Sequence, residues 1–277
     1  MKNIIVLLVI VAALFSACEE KPVIIPEFIP IETGKVLLAE ELTGVRCPNC
    51  PAGSARLETI SDKFPGNVII VGIHGIDLAK PLDESKYDFR NEDAAALEVY
   101  LKPFLGKPAA YFNRVKFENL GGEFGSIFQG QWEGVVEEEL NKPQVTHIAI
   151  DKSYDTNTRV LEITITVSPI IDIPGEIKLS LMLTESEIED AQDDQFEIVE
   201  DYTHEHVLRD VITTFNGDFF ADGLTKGENV KKSYTYTVPE SDDGLWRAEH
   251  IDIVAFVANT EGESEEVLQA TTEPLLD

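Results

Sequence analysis

The sequence predicts an α/β domain over residues 35–142 followed by an all-β domain over residues 143–277. Two patterns carry that reading. Residues 35–141 alternate β-branched runs with runs of helical spacing, and from Pro143 short runs alternate apolar with polar between turn residues. The apolar content, 43%, suits folded cores rather than disorder.

In the first domain, residues 36–41 read as a short strand. Residues 51–64 read as a helix, with Ala52, Ala55, Leu57 and Ile60 apolar. The β-branched run 67–73 reads as a strand buried on both faces. Residues 91–101 read as a helix with Asn91 as its N-cap. Residues 109–113 and 115–117 read as short strands on either side of Arg114, and 127–140 as a closing helix. The order is β-α-β-α-β-β-α.

In the second domain, residues 145–150, 159–167, 176–184, 206–213, 230–238 and 250–258 read as strands. Asp155-Thr156-Asn157, Pro174-Gly175 and Asp242-Asp243-Gly244 separate them. Repeated short strands with such turns predict a β-sandwich of immunoglobulin-like type. The acidic stretch 185–200 is expected to be a loop with one short helix. The boundary falls near Asn141-Lys142-Pro143, and the chain has no internal repeat.

The chain opens with Lys2, an apolar run over 4–15, small Ser16 and Ala17, then Cys18. That is the layout of a secretory signal. The run is shorter than the roughly 20 residues that span a bilayer; the alternative is an uncleaved anchor helix. Leu14-Phe15-Ser16-Ala17-Cys18 resembles a bacterial lipobox, with Phe15 where leucine is commonest. The resemblance implies a signal peptide over 1–17 and lipid chains on Cys18, hence a membrane partner. Pro22, Pro26 and Pro30 then make 18–34 an extended tether, roughly 45–50 Å from Cys18 to Thr33. Glu19-Glu20 also resembles some surface-export signals of Gram-negative lipoproteins.

The formal charge is −29. Loss of Lys2 with the leader would leave 21 basic and 51 acidic residues, a charge of −30. Nucleic acid, whose phosphates need Lys and Arg, is thereby excluded as a partner. A basic face for anionic lipid is equally absent. No D-x-[DN]-x-[DN]-G loop points to calcium, and no cofactor or metal is expected.

Three cysteines are present. With Cys18 lipidated, Cys47 and Cys50 remain as a pair, and export places them where a disulfide is permitted. Their C-x-x-C lies between a strand with a glycine-containing loop and the start of a helix. There the unpaired N–H groups and helix dipole favour a thiolate. Arg46 adds positive charge beside Cys47. Cys47 is the candidate nucleophile and Cys50 the resolving thiol of an exchange reaction. The other readings are an inert disulfide and half of a zinc site. His74, at the end of the second strand, is a candidate proton shuttle or thiolate stabiliser, or a histidine that closes a strand. His204 and His206, two apart on an expected strand, would share a face; hydrogen-bonded structural roles suit them better than metal binding.

The β-α-β-α-β-β-α order with C-x-x-C opening the first helix resembles a thioredoxin fold. Gly106-Lys107-Pro108-Ala109-Ala110-Tyr111-Phe112 resembles the thioredoxin segment that carries a cis-proline. The resemblance implies that Pro108 is that proline, packed on the cysteine pair. It also implies a buried acid at Glu41, with Glu40 as the register alternative, accepting a proton from Cys50. Arg46 and Pro48-Asn49 depart from the usual motif, so thioredoxin's substrates are not carried over.

The chain further resembles the Omp28-related outer membrane lipoproteins. The matching strings are Glu-Glu-Leu-Thr-Gly before Arg-Cys-Pro-Asn-Cys-Pro, Gly72-Ile73-His74, Tyr-Phe-Asn-Arg after Pro108, and the run from Tyr202 to Arg209. The family implies a thioredoxin-like domain joined to a β-sandwich at the outer membrane, facing the periplasm or the exterior. Two functions follow as expectations. One is thiol–disulfide exchange on exported thiol proteins. The other is a non-catalytic envelope lipoprotein, with a structural disulfide and a sandwich that binds a protein or glycan.

Overall fold

Side-chain alternation along one strand sets the layering of the N-terminal half. Strand β1 (Leu37–Leu42) sends Leu37 and Ala39 to one face of its sheet, and Leu38 and Leu42 to the other. On the first face lie helices α1 (Cys50–Lys63) and α3 (Gln129–Leu140), packed through Leu57, Ile60, Trp132 and Val136. On the second lies α2 (Glu92–Tyr100), packed through Ala94 and Leu97. Strand β2 (Val68–Ile73) runs parallel to β1, and β3 (Ala109–Phe112) runs antiparallel to it. A two-residue edge strand, β4 (Gly125–Ser126), pairs antiparallel with β3.

These features come from a computed structural model that describes residues 34–101, 105–116, 125–240, 244–261 and 265–276. The leader, Cys18 and the tether to Thr33 lie outside the described residues, as does the turn at Asp242-Asp243.

Of the expected strand 115–117, Phe117 lies outside the described residues and the other two positions form no strand. Val115 and Lys116 are irregular, because Asn113 and Arg114 take positive φ values of 50° and 53° and turn the chain out of the sheet. Asn113 holds that turn, accepting from the Leu38 amide through Oδ1 at 3.0 Å. Arg114 is then buried, and its Nε and Nη2 donate to the Glu40 carboxylate at 2.8 and 2.6 Å. The guanidinium lies over the Phe256 ring at 5.0 Å and the Tyr100 ring at 5.5 Å.

The C-terminal half is a sandwich. Strands β5 (Thr146–Asp155), β6 (Val160–Pro169) and β12 (Val230–Thr237) form one sheet in the order β12-β6-β5. Each alternates less exposed with more exposed positions, as a strand with one face to the core must. Facing it are β7 (Ile173–Glu185), β11 (Asp218–Leu224), β13 (Ile251–Asn259) and β14 (Glu266–Pro274). Leu161, Ile163 and Ile165 of β6 meet Leu179, Leu181 and Leu183 of β7, with Ile253 and Val257 of β13. The described chain is thus mostly β, with a sandwich core, as expected from the turn spacing.

Strands β11 and β14 had no clear signature. In β14 a register shift opposite Val257 and Ala258 leaves Val267, Leu268 and Gln269 all buried, which erases the alternation. The stretch 185–200 is also not the expected loop with a short helix. It carries a hairpin of β8 (Ile188–Asp193) and β9 (Ile198–His204). Ile188 and Ala191 pack with Val45 and Phe89, and buried Asp190 accepts the amides of Lys86 and Tyr87 at 2.7 and 3.0 Å. Contacts distant in sequence therefore set its conformation, over the local propensity of its acids.

Strand β10 (Val207–Val211) joins the halves. It runs antiparallel to β7 and meets β2 in parallel at Val207–Gly72. The sheet then reads β14-β13-β7-β10-β2-β1-β3-β4. Met182, Val254 and Phe256, on the face opposite the sandwich, share one cluster with Leu38, Val71 and Tyr111. Strands β7 and β13 are accordingly buried on both faces, and residues 31–277 form one compact unit.

Candidate functional site

The loop between β1 and α1 closes in two tight steps. The Cys47 amide donates to the Gly44 carbonyl and the Cys50 amide to the Cys47 carbonyl, each at 3.0 Å. Gly44 is required by space, since a Cβ there would sit 2.4 Å from the Leu78 carbonyl oxygen. Cys47 and Cys50 form a disulfide with a Cα–Cα distance of 5.3 Å. Both are 1% exposed. Arg46 does not stand free over the sulfurs. Its guanidinium donates to the carbonyls of Lys80 and Pro81 at 2.8 and 2.5 Å, fastening that loop to the cysteine loop.

The Lys107–Pro108 bond is cis. Pro108 packs on α1 at Gly53, where a Cβ would lie 2.6 Å from Pro108 Cγ and 3.1 Å from Glu41 Oε1. Gly53→Ala is therefore expected to destabilise the protein by about 1–3 kcal/mol through overpacking; urea unfolding would measure it. Lys107 anchors the same turn, with Nζ donating to Thr43 O at 2.9 Å and to Glu98 Oε2 at 2.9 Å.

Glu41 lies beneath α1 at 3% exposure. Ser54 Oγ reaches its two oxygens at 3.0 and 3.2 Å. Burial pushes the Glu41 carboxyl up to about 8, outweighing the Ser54 hydrogen bond. Glu40 takes the opposite face with Arg114, which separates the two register alternatives. Cys50, Ser54 and Glu58 fall at i, i+4 and i+8, one stripe of α1. That spacing was the signal for Ser54 and Glu58, which the sequence reading passed over.

Beside this stripe lies a cavity of about 310 Å³. Glu41, Cys50, Ser54, Glu58 and His74 line it, with Gln192, Tyr202, His204 and His206 from the second half of the chain. His204 and His206 do not share a strand, because β9 ends at His204 and β10 begins at Val207. His206, with φ 54°, pairs with Glu58 at 3.1 Å. Burial opposes its charge, but the Glu58 hydrogen bond and charge prevail and raise its pKa above the usual value. His74 is 3% exposed, edge-on to Phe89 and His204 at 5.1 and 5.9 Å between ring centres. Burial foremost, then the nearby His204 and Lys107, hold it well below the usual histidine pKa. Burial likewise takes His204 down to about 4. Both are neutral at neutral pH. Among the described residues, no three His, Cys, Asp or Glu side chains converge as metal ligands.

Fold and site define a mostly-β protein, a sandwich whose sheet runs on into a helix-covered layer with a buried disulfide. The family profile described as outer membrane protein Omp28 matches residues 102–274, more than half of the chain, and the chain belongs to that family. The outer membrane is accordingly its location, as the sequence resemblance implied. Among solved structures, HBP35 of Porphyromonas gingivalis is similar at TM-score 0.66 and 14% identity, over 87% of this chain and 75% of that one. At that identity the likeness is one of fold. A protein of Agrobacterium tumefaciens gives TM-score 0.47 at 11% identity, over 86% of this chain and 94% of that one. A domain of the outer membrane lipoprotein Omp28 from Porphyromonas gingivalis gives 0.31 at 19%, over 46% of this chain and 84% of that one. No curated protein matches.

Proposed function

We propose that the protein is an outer membrane lipoprotein, anchored through lipid on Cys18, whose N-terminal half is a thioredoxin-like domain for thiol–disulfide exchange on exported proteins. The observation that carries this is the disulfide at the start of α1 with buried Glu41 behind it. The order β2-β1-β3-β4, with α1 and α3 on one face and α2 on the other, supports the thioredoxin likeness. The sandwich behind it is read as immunoglobulin-like.

The exchange balances as follows. A partner thiolate attacks Cys47 Sγ, forming a mixed disulfide and breaking the Cys47–Cys50 bond. Cys50 leaves as a thiolate and takes the proton that Glu41 holds below a pH of about 8. A second thiol of the partner, having lost its proton to water, then attacks its own mixed-disulfide sulfur as a thiolate and releases Cys47 as a thiolate. The partner leaves with a disulfide, and the protein holds two reduced cysteines. The reverse sequence returns the proton from Cys50 to Glu41, and the cavity beside both connects them to water.

The test is a Cys50→Ala variant expressed in its own envelope. Cys47 should then accumulate as mixed disulfides with exported proteins, released by reductant. No trapped partner, together with no exchange by the purified protein, would refute the reading. A second reading is favoured by the 1% exposure of both cysteines. In it the disulfide is structural and the sandwich binds an envelope protein or glycan. The reduction potential divides the two, with a structural pair below about −300 mV and a working pair above it.

A further inference from the structure

The β8–β9 hairpin lies on the cysteine loop and holds it through main-chain groups. The Asp193 amide donates to the Val45 carbonyl at 2.8 Å. Gln192 Nε2 reaches the Gly44 carbonyl at 3.3 Å and the Cys47 carbonyl at 3.2 Å. Farther along the turn, Gln195 Nε2 donates to Asn49 Oδ1 at 2.9 Å. Val45 also packs with Ile188, Ala191 and Val207. Four residues of the seven-residue loop from Gly44 to Cys50 are therefore bonded by a segment some 145 positions away in sequence. Cys47 and Cys50, both within this loop, are each 1% exposed.

The hairpin is fastened unevenly. Its start is fixed, since buried Asp190 is bound by the Lys86 and Tyr87 amides. Its turn is not. Asp194 and Glu197 close it by one backbone hydrogen bond at 2.9 Å, and Phe196 at the apex is 92% exposed. A segment with a fixed base, a solvated tip and a few hydrogen bonds to the part it covers opens locally at lower cost than the protein unfolds.

We infer that the β8–β9 hairpin is a lid over the Cys47–Cys50 disulfide, with Gln192 as its latch, and that the disulfide reacts only when the tip lifts. The inference deepens the exchange reading above, since a partner thiolate must pass the lid to reach Cys47. It reconciles a C-x-x-C at a helix start, which favours reaction, with cysteines that are each only 1% exposed. Gln192 is a positioning residue here, because it acts through the carbonyls of Gly44 and Cys47 and touches no reacting sulfur.

The test needs no physiological partner, so its failure and that of the exchange reading are separable. Dithiothreitol, a small dithiol, is added to the purified mature protein, and loss of the disulfide is followed by quenched alkylation and mass. Gln192→Ala is expected to raise the reduction rate about tenfold, the effect of losing hydrogen bonds that hold the lid shut. Gln195→Ala, at an exposed position outside any core, should raise it by a factor of about three. The apparent melting temperature of Gln195→Ala should match the parent. Hydrogen exchange of the Asp193 amide should quicken by the same factors, a change that a global loss of stability would spread over all strands. If both variants are reduced at the parent's rate, the lid is refuted. Should Gln192→Ala fail to fold, Gln195→Ala decides alone. Faster reduction in the variants, with no partner trapped by Cys50→Ala and no exchange with protein thiols by the purified protein, would keep the lid and remove the exchange reading.

Discussion

Arg114→Met is expected to destabilise the protein by about 3–5 kcal/mol, because it strands the Glu40 carboxylate in the core. Glu40 is 0% exposed, and both of its oxygens are taken by the Arg114 guanidinium. Water cannot replace that partner, and the surroundings are Tyr100 and Phe256 rings. The pair sits where β1, the turn after β3, and β13 meet, so the loss should be felt by both halves at once. Urea unfolding followed by tryptophan fluorescence would measure it; Trp132 is buried on α3 and Trp246 lies on the sandwich side. A single transition moved to lower urea is expected. Adding Glu40→Gln to Arg114→Met should restore part of the loss, since no charge is then left unpaired. An unchanged midpoint in the single variant would show that the pair contributes nothing.

Glu41→Gln is expected to act in the opposite direction, stabilising the folded state at pH 7 by about 3 kcal/mol. The sign follows from proton uptake. The Glu41 carboxyl is held near 8 by burial, against 4.5 in the unfolded chain. Between those values the folded state keeps a proton that the unfolded state has released. Stability from this group is thus full below about pH 4.5, falls as pH rises, and levels off above about pH 8. Glutamine keeps the shape and an acceptor for Ser54 Oγ but removes the titration. Unfolding free energies at pH 5, 7 and 9 should show a gap that widens between the first two values and approaches its limit by the third. A gap independent of pH would mean that Glu41 is ionised in the folded protein. The stabilised variant should also exchange disulfides more slowly if Glu41 is the proton donor to Cys50, which ties a gain in stability to a loss of rate.

Much of the N-terminal half was legible because its signals are local. The run 67–73 is β-branched throughout its centre and forms β2, buried at each of its positions. Asn91 caps α2 as its residue type suggested, accepting the Ala94 amide at 2.7 Å. The C-x-x-C and the Lys107-Pro108 turn, sixty residues apart, are brought to one end of α1 by strand order alone. What the sequence hid is what distant segments supply. The acids of 185–200 suggest a solvated loop, yet Asp190 is buried by amides from residues 86 and 87. Nothing local predicts that Gln192 would bind Gly44, or that His206 would cross to Glu58 on α1. The cavity is shared between the halves, so neither half alone contains its signature. Strand β14 was hidden differently, by a bulge that breaks the period of two.

The entry of the chain into the fold is tied to its last strand. Lys35 Nζ donates to the Leu268 carbonyl at 2.5 Å, the Val36 amide to Gln269 Oε1 at 3.2 Å, and Gln269 Nε2 to the Gly34 carbonyl at 3.1 Å. Asn67 Nδ2 adds a bond to the Lys35 carbonyl at 2.8 Å. A pull arriving at Gly34 would therefore load β14 as well as β1, in shear across several hydrogen bonds. The two ends of the described chain act as a single fixture, and drag on the body would not peel the sandwich away from the layer that carries the disulfide.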